Sequence, residues 1–181
     1  SQPLTVNGGA LELTGVQSVS ERTLFLGNNH ATVKVVSSGD AWTFQNLQGA
    51  NGSLTKVGAG QLSFTGTNTS SRTGATIVSE GTLAVGNTLG SAIGTGAVTV
   101  KSGATLTGGG IVGGPVTVED GGIVSPGTRP GTLTLQSDLN LAATAQLNFD
   151  LDTPGVIGSG VNDWIDIAGN LTLDGTVNLT G

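Results

Sequence analysis

Valine, glycine and leucine recur together along this chain at nearly constant spacing. With Gly60, Gly81, Gly103 and Gly121 set in register, Val57, Val78, Val100 and Val118 each fall three positions earlier. Two positions after the glycine come Leu62, Leu83 and Ile123, while the third copy is one residue longer and presents Leu106 instead. A period of about twenty with two or three short alternating strands per period signals a solenoid. One copy is too short to bury its own apolar side, so copies must stack, and side chains alternating in and out place the same column inside every coil. Glycine at the corner supplies backbone angles that other residues resist. The expectation is an all-β chain, a single-stranded parallel β-helix (β-solenoid) with coils of about 20 residues, roughly nine of them stacked ~4.8 Å apart. A β-sandwich also uses short strands and frequent turns. It ranks second because a sandwich does not require the same residue at the same place in every period.

Composition narrows the function classes. Thirty-two glycines with five prolines, no collagen period and ordinary hydrophobicity exclude collagen and argue against disorder. The remaining positions are dominated by Val, Leu, Ile and Thr, which is strand chemistry. Aromatics are limited to Phe25, Phe44, Phe64, Phe149, Trp42 and Trp164, too few for a sugar-stacking groove. Without cysteine there are neither disulfides nor thiolate metal ligands. Six basic residues against twelve acidic ones make nucleic acid a poor partner. No base follows Arg129, whereas Asp138, Asp150, Asp152, Asp163, Asp166 and Asp174 do. No apolar run approaches a membrane span and no signal peptide opens the chain, so an exported protein is expected to be represented here by a mature piece or an excised fragment.

The whole chain, 1–181, reads as one domain. Its first part, 1–50, carries the pattern less cleanly in LTVNGGALEL, TLFLGNNHATVKVV and AWTFQNL, still strands with polar turns. Residues 51–127 hold the repeat, and 128–181 form C-terminal coils. Within the latter, 132–152 reads as longer alternating strands without glycine, and TPGVIGSGVN at 153–162 as a loop projecting from the rod.

The stretch NGSLTKVGAGQLSFTGTNTSSRTGATIVSEGTLAVG, residues 51–86, resembles the passenger-associated transport repeat of Gram-negative autotransporters, the type V secreted proteins. That repeat runs LTKTGAGTLTLSG, then a threonine- and glycine-rich turn, then a strand ending GTL. The family's turn often contains Asn-Thr-Tyr-Thr-Gly; here Asn68 to Gly74 replace the aromatic with small polar residues. GGIVSPGTRPGTLTLQSDLNL, residues 121–141, is similar to a segment near the passenger's C-terminal end, with Thr128-Arg129-Pro130 where Asn-Ser-Ile is frequent. VNDWIDIAGNLTLDGTVNLTG, residues 161–181, resembles the last, pertactin-like or autochaperone coils before the membrane anchor. The resemblance implies a right-handed parallel β-helix, displayed on or released from the surface of a Gram-negative bacterium. It also implies anchoring through an outer-membrane β-barrel of the full-length chain, which these residues do not provide. Host cell or matrix surfaces, or other passengers, are the implied partners, and the C-terminal coils are expected to help the passenger fold after export.

Catalytic constellations are thin. A serine protease needs serine, base and orienting acid together. The sole histidine, His30, sits in a polar NNH turn, Asp40 follows in SSGDAW, and no Gly-Asp-Ser-Gly context exists. GSGVN around Ser159 only weakly echoes a nucleophile elbow. A polysaccharide lyase or hydrolase is the alternative function, with Asp150, Asp152, Asp163 and Asp166 as its acidic concentration. Exposed acids on coil edges, keeping the rod soluble, are the simpler reading. Weak calcium binding lacks the GGxGxD nonapeptide that would support it. Trp42 and Trp164 are expected in core or end-cap packing, with protein contact as the second reading. TGGGIVGG, 107–114, lacks the lysine and helix of a phosphate cradle. Catalytic, cofactor and metal residues are therefore all expected to be none, and the chain to be a non-catalytic stalk.

Overall fold

A computed structural model describes residues 2–67, 69–127, 131–156 and 161–181. Among these there is no helix; the strands form a nine-stranded, an eight-stranded and a three-stranded sheet. The chain alternates between the two large sheets. Leu54–Val57 lies in the eight-stranded sheet, Gln61–Phe64 in the nine-stranded one, and Thr76–Val78 returns to the first. Every strand pairs in parallel with its counterpart one coil away, for example Leu62 with Leu83 and Leu83 with Leu106. The result is a parallel β-helix. Its third side is irregular backbone at 69–75 and 86–97, then becomes the small sheet of Ile111–Val112, Thr132–Leu135 and Trp164–Ile167.

Side-chain columns inside the coils make the core. Leu62, Leu83, Leu106, Val124 and Leu147 stack from the nine-stranded sheet. Facing them, Val33, Lys56, Val78, Val100, Val118 and Leu141 stack from the eight-stranded sheet. Each buried aliphatic side chain contributes roughly 1.5–3 kcal/mol relative to exposure. The register corrects two sequence assignments. Val78 pairs with Lys56, so the lysine is inside and Val57 only half-buried. Likewise Val124, not Ile123, continues the leucine column, because Ile123 pairs with Thr105 and points outward.

The corner between the sheets explains the slip. Gln61 N donates to Asp40 O, Thr82 N to Gly60 O, Thr105 N to Gly81 O, Ile123 N to Ala104 O and Gln146 N to Gly122 O, all within 2.9–3.2 Å. The corner column is thus Gly60, Gly81, Ala104 and Gly122. Gly103 and Gly121 stand one residue ahead, in turns closed by Ala104 N to Lys101 O at 3.0 Å and Gly122 N to Glu119 O at 2.8 Å, and of the turns at these corners only the one from Val78 to Gly81 is one residue shorter. Their φ of +73 and +74 fits the third residue of such a turn, where glycine is favoured.

Residues 1–50 build coils of the same two sheets, including the long strands Val16–Leu26 and Ala41–Gly49, whose pairing shifts register between Val19 and Thr23. The 132–152 stretch is not longer strands but three short ones, Thr132–Leu135, Leu139–Leu141 and Gln146–Asp150, one on each side of the rod. Leu171, Leu173, Val177 and Leu179 occupy the inward columns of the coil that ends at Gly181 and are exposed within these 181 residues.

Candidate functional site

The acidic concentration is the first place to look for chemistry. Asp163 is buried, which corrects its assignment as an exposed coil-edge acid. Its Oδ1 accepts from Gly131 N at 3.2 Å and its Oδ2 from Asp150 N at 2.9 Å. Beside it, Asn162 accepts from Asp152 N and Thr153 N and donates to Thr153 O and Val156 O, tying down the base of the loop. Asp150 accepts from the Thr180 hydroxyl, while Asp152 and Asp166 are exposed. The carboxylates of Asp150 and Asp163 therefore serve separate local contacts, and those of Asp152 and Asp166 face outward. Among the described residues no group of three or more His, Asp or Glu side chains is placed to hold a metal ion.

The protease residues do not converge either. His30 Nδ1 meets Ser53 Oγ at 2.7 Å, whereas Asp40 accepts from Ser37 N at 2.9 Å within its own turn. Ser159, Asn68 and the turn at 128–130 lie outside the described residues. In the 107–114 stretch, Ile111–Val112 is a strand of the small sheet.

The two tryptophans diverge. Trp42 packs against the core, donates to Thr14 O at 3.1 Å and stacks on Phe44. Trp164 is 42% exposed and lines an apolar cup with Phe149, Leu151, Val156 and Leu179, so it is neither core nor a sealed cap.

Two buried cations escape a reading of the sequence. The Lys56 ammonium donates to Val57 O at 3.1 Å, Gly58 O at 2.7 Å and Glu80 O at 2.9 Å. Desolvation pulls its pKa down to about 8, with the Glu80 charge opposing the fall. Arg72 fills the interior of the third side. Its Nη1 donates to Ile93 O at 2.8 Å and its Nη2 to Gly52 O at 2.8 Å and Gly74 O at 3.2 Å, so one guanidinium holds three consecutive coils. Burial lowers its pKa to about 10, which leaves it a cation at neutral pH. Arg72 immediately precedes Thr73-Gly74, where the family's turn carries tyrosine. The departure there is a different interior filling, not a string of small polar residues. Strand alternation was the available signal: Leu54 and Lys56 point the same way, as do Arg72, Gly74 and Thr76.

What remains for function is the outside. On the eight-stranded sheet, Thr32, Thr55, Ile77, Thr99, Thr117, Asn140 and Thr172 form one outward column, a rung every ~4.8 Å. The column carries no charge. Nearby lysines are paired across coils, Lys34 with Glu12 at 3.0 Å and Lys101 with Glu119 at 2.6 Å.

A parallel β-helix whose buried ionisable groups, Lys56, Arg72 and Asp163, bind its own backbone, with an uncharged column on one outer face, is the architecture expected of a surface passenger domain. The Passenger-associated-transport-repeat family model matches residues 54–85, the coil that contains Lys56 and Arg72. The chain is 36% identical over 175 residues to the adhesin BmaC autotransporter of Brucella suis biovar 1 (strain 1330), a match spanning 95% of this chain and 5% of that protein. The two matches mark the chain as an autotransporter passenger fragment, passengers being the surface-exposed secreted part of such proteins in Gram-negative bacteria. No solved structure matches it.

Proposed function

We propose that this segment is a non-catalytic β-helical stalk that adheres through its outer sheet faces. The observation that carries this reading is the uncharged column from Thr32 to Thr172, which offers a hydroxyl or amide group on every rung except Ile77. The relative named an adhesin supports it. The partner is a host cell or matrix surface or a neighbouring passenger, and the full-length chain is held at the cell surface by an outer-membrane barrel. Residues 128–181 assist folding of the passenger during secretion.

The test places Thr55→Lys, Thr99→Lys and Thr117→Lys together in the surface-displayed protein and measures binding to cells, matrix and passenger-coated beads. The expected result is loss of binding with unchanged thermal unfolding. Full binding by the triple variant would remove the face from the mechanism. A second arm deletes residues 121–181, and normal folding and secretion of the remainder would contradict the folding role.

A further inference from the structure

Two buried side-chain atoms among the described residues meet no hydrogen-bond partner in the protein, Ser70 Oγ and Arg72 Nε. They belong to one stretch. Along 69–76 exposed and buried residues alternate strictly, so Ser70, Arg72, Gly74 and Thr76 all face the interior of the third side. Ser70 and Arg72 are 1% and 0% exposed, and two residues of extended backbone separate them by about 6.6 Å. The groups around them are satisfied. Ser91 Oγ donates to Gly94 O at 2.6 Å and accepts from Gly113 N at 2.9 Å. The Nη groups of Arg72 donate to the carbonyls of Gly52, Gly74, Ala75 and Ile93 and to Thr76 Oγ1. A packed interior leaves few polar atoms unpaired, because each forfeits its hydration.

The chemistry of the pair decides what it holds. Arg72 Nε–H can only donate, and the Ser70 hydroxyl has a proton to give, so a shared partner accepts twice. That partner also meets a charge. Every hydrogen-bond partner of Arg72 among the described residues is a neutral oxygen, and burial is the sole cause of its lowered pKa. A metal cation would face two donors and a like charge. A water would accept both bonds, yet it brings two protons into an interior whose carbonyls Arg72 already occupies, and it leaves the charge unpaired. We infer that the third side binds one chloride ion between Arg72 Nε and Ser70 Oγ. The anion accepts from both and pairs the guanidinium on the edge that the carbonyls leave open. Both residues lie within 68–74, where the sequence departs from the repeat's usual turn, so the site belongs to this coil and not to every copy.

A ligand bound by the folded chain alone raises its Tm with concentration. The 181-residue protein is melted at rising sodium chloride, with ionic strength held constant by sodium gluconate, whose anion is too bulky for a site between two buried atoms. The wild type is expected to gain Tm as chloride rises, and Ser70→Ala to need at least about tenfold more chloride for the same gain. Wild-type protein is also refolded from urea in sodium bromide and crystallised, and an anomalous bromide peak is expected in contact with both Arg72 Nε and Ser70 Oγ. Equal chloride responses in the two proteins overturn the proposal. So does a crystal in which a water or a side chain stands at this position without bromide signal.

Discussion

Lys56 Nζ lies 2.9 Å from the carbonyl oxygen of Glu80, so an ammonium buried in one coil is satisfied by the backbone of the next. The folded state holds this proton less tightly than the unfolded chain, with a pKa of about 8 against the ordinary 10.5. Between those values the unfolded state binds more protons, so stability rises with pH, by at most ~3 kcal/mol across the window. Urea unfolding of the wild type at about pH 7 and pH 9.5 should show the rise, and Lys56→Met should flatten it. Parallel profiles for the two proteins would refute the assignment.

Arg72 makes a different demand. Removing it leaves the carbonyls of Gly52, Gly74 and Ile93 without the donor that bridges them. Arg72→Met is expected to cost about 3–5 kcal/mol, the range seen when a buried charged network loses a member. Arg72→Lys should recover little of this, because an ammonium cannot span carbonyls on three coils as a planar fork does. Chemical denaturation of both variants decides it: wild-type stability in the lysine variant would mean that charge, not reach, matters.

These cations also mark how far the sequence could be read. Leu62, Leu83 and Leu106 were legible as one column because each follows its glycine corner at a near-constant distance. The turn from Val78 to Gly81 is one residue shorter than those before Gly60, Ala104 and Gly122, so aligning every copy on that spacing put Val57 in the place of Lys56 and Ile123 in the place of Val124. Lysine reads as a solvent residue, so the conspicuous Val57 displaced its neighbour Lys56, although alternation from Leu54 pointed to the lysine. Asp163 was legible as an acid but not as a backbone cap, because its partners, Gly131 and Asp150, lie 32 and 13 residues away. The threonine column becomes visible only with the register, since strands of unequal spacing must be aligned before Thr55, Thr99 and Thr117 fall on one line.

The two kinds of corner glycine should respond unequally to alanine. Gly103 and Gly81 both have positive φ, +73 and +63. A Cβ on Gly103 meets nothing within 4 Å, so Gly103→Ala is expected to cost only the left-handed backbone penalty, about 1–2 kcal/mol. On Gly81 the same atom would stand 2.4 Å from Gly58 O and 2.6 Å from Gly60 O, so Gly81→Ala must also push two backbone segments apart. Thermal melts should rank Gly81→Ala well below Gly103→Ala. Equal losses would show that the corner relaxes and that steric closeness there is unimportant.

Leu141 and Leu173 are adjacent rungs of one column, 2% and 44% exposed. Within the 181-residue segment, which is the protein to be measured, Leu141 is covered by the coil that follows it and Leu173 is exposed. Leu141→Ala is therefore expected to lose ~2–5 kcal/mol, the cost of a cavity in a packed interior. Leu173→Ala opens no cavity and forfeits only part of its transfer energy, under ~1 kcal/mol. Urea unfolding of the two variants at low protein concentration measures the difference directly. If Leu173→Ala costs as much as Leu141→Ala, the last rung is covered in solution, and sedimentation of the wild type would then have to show association through that end.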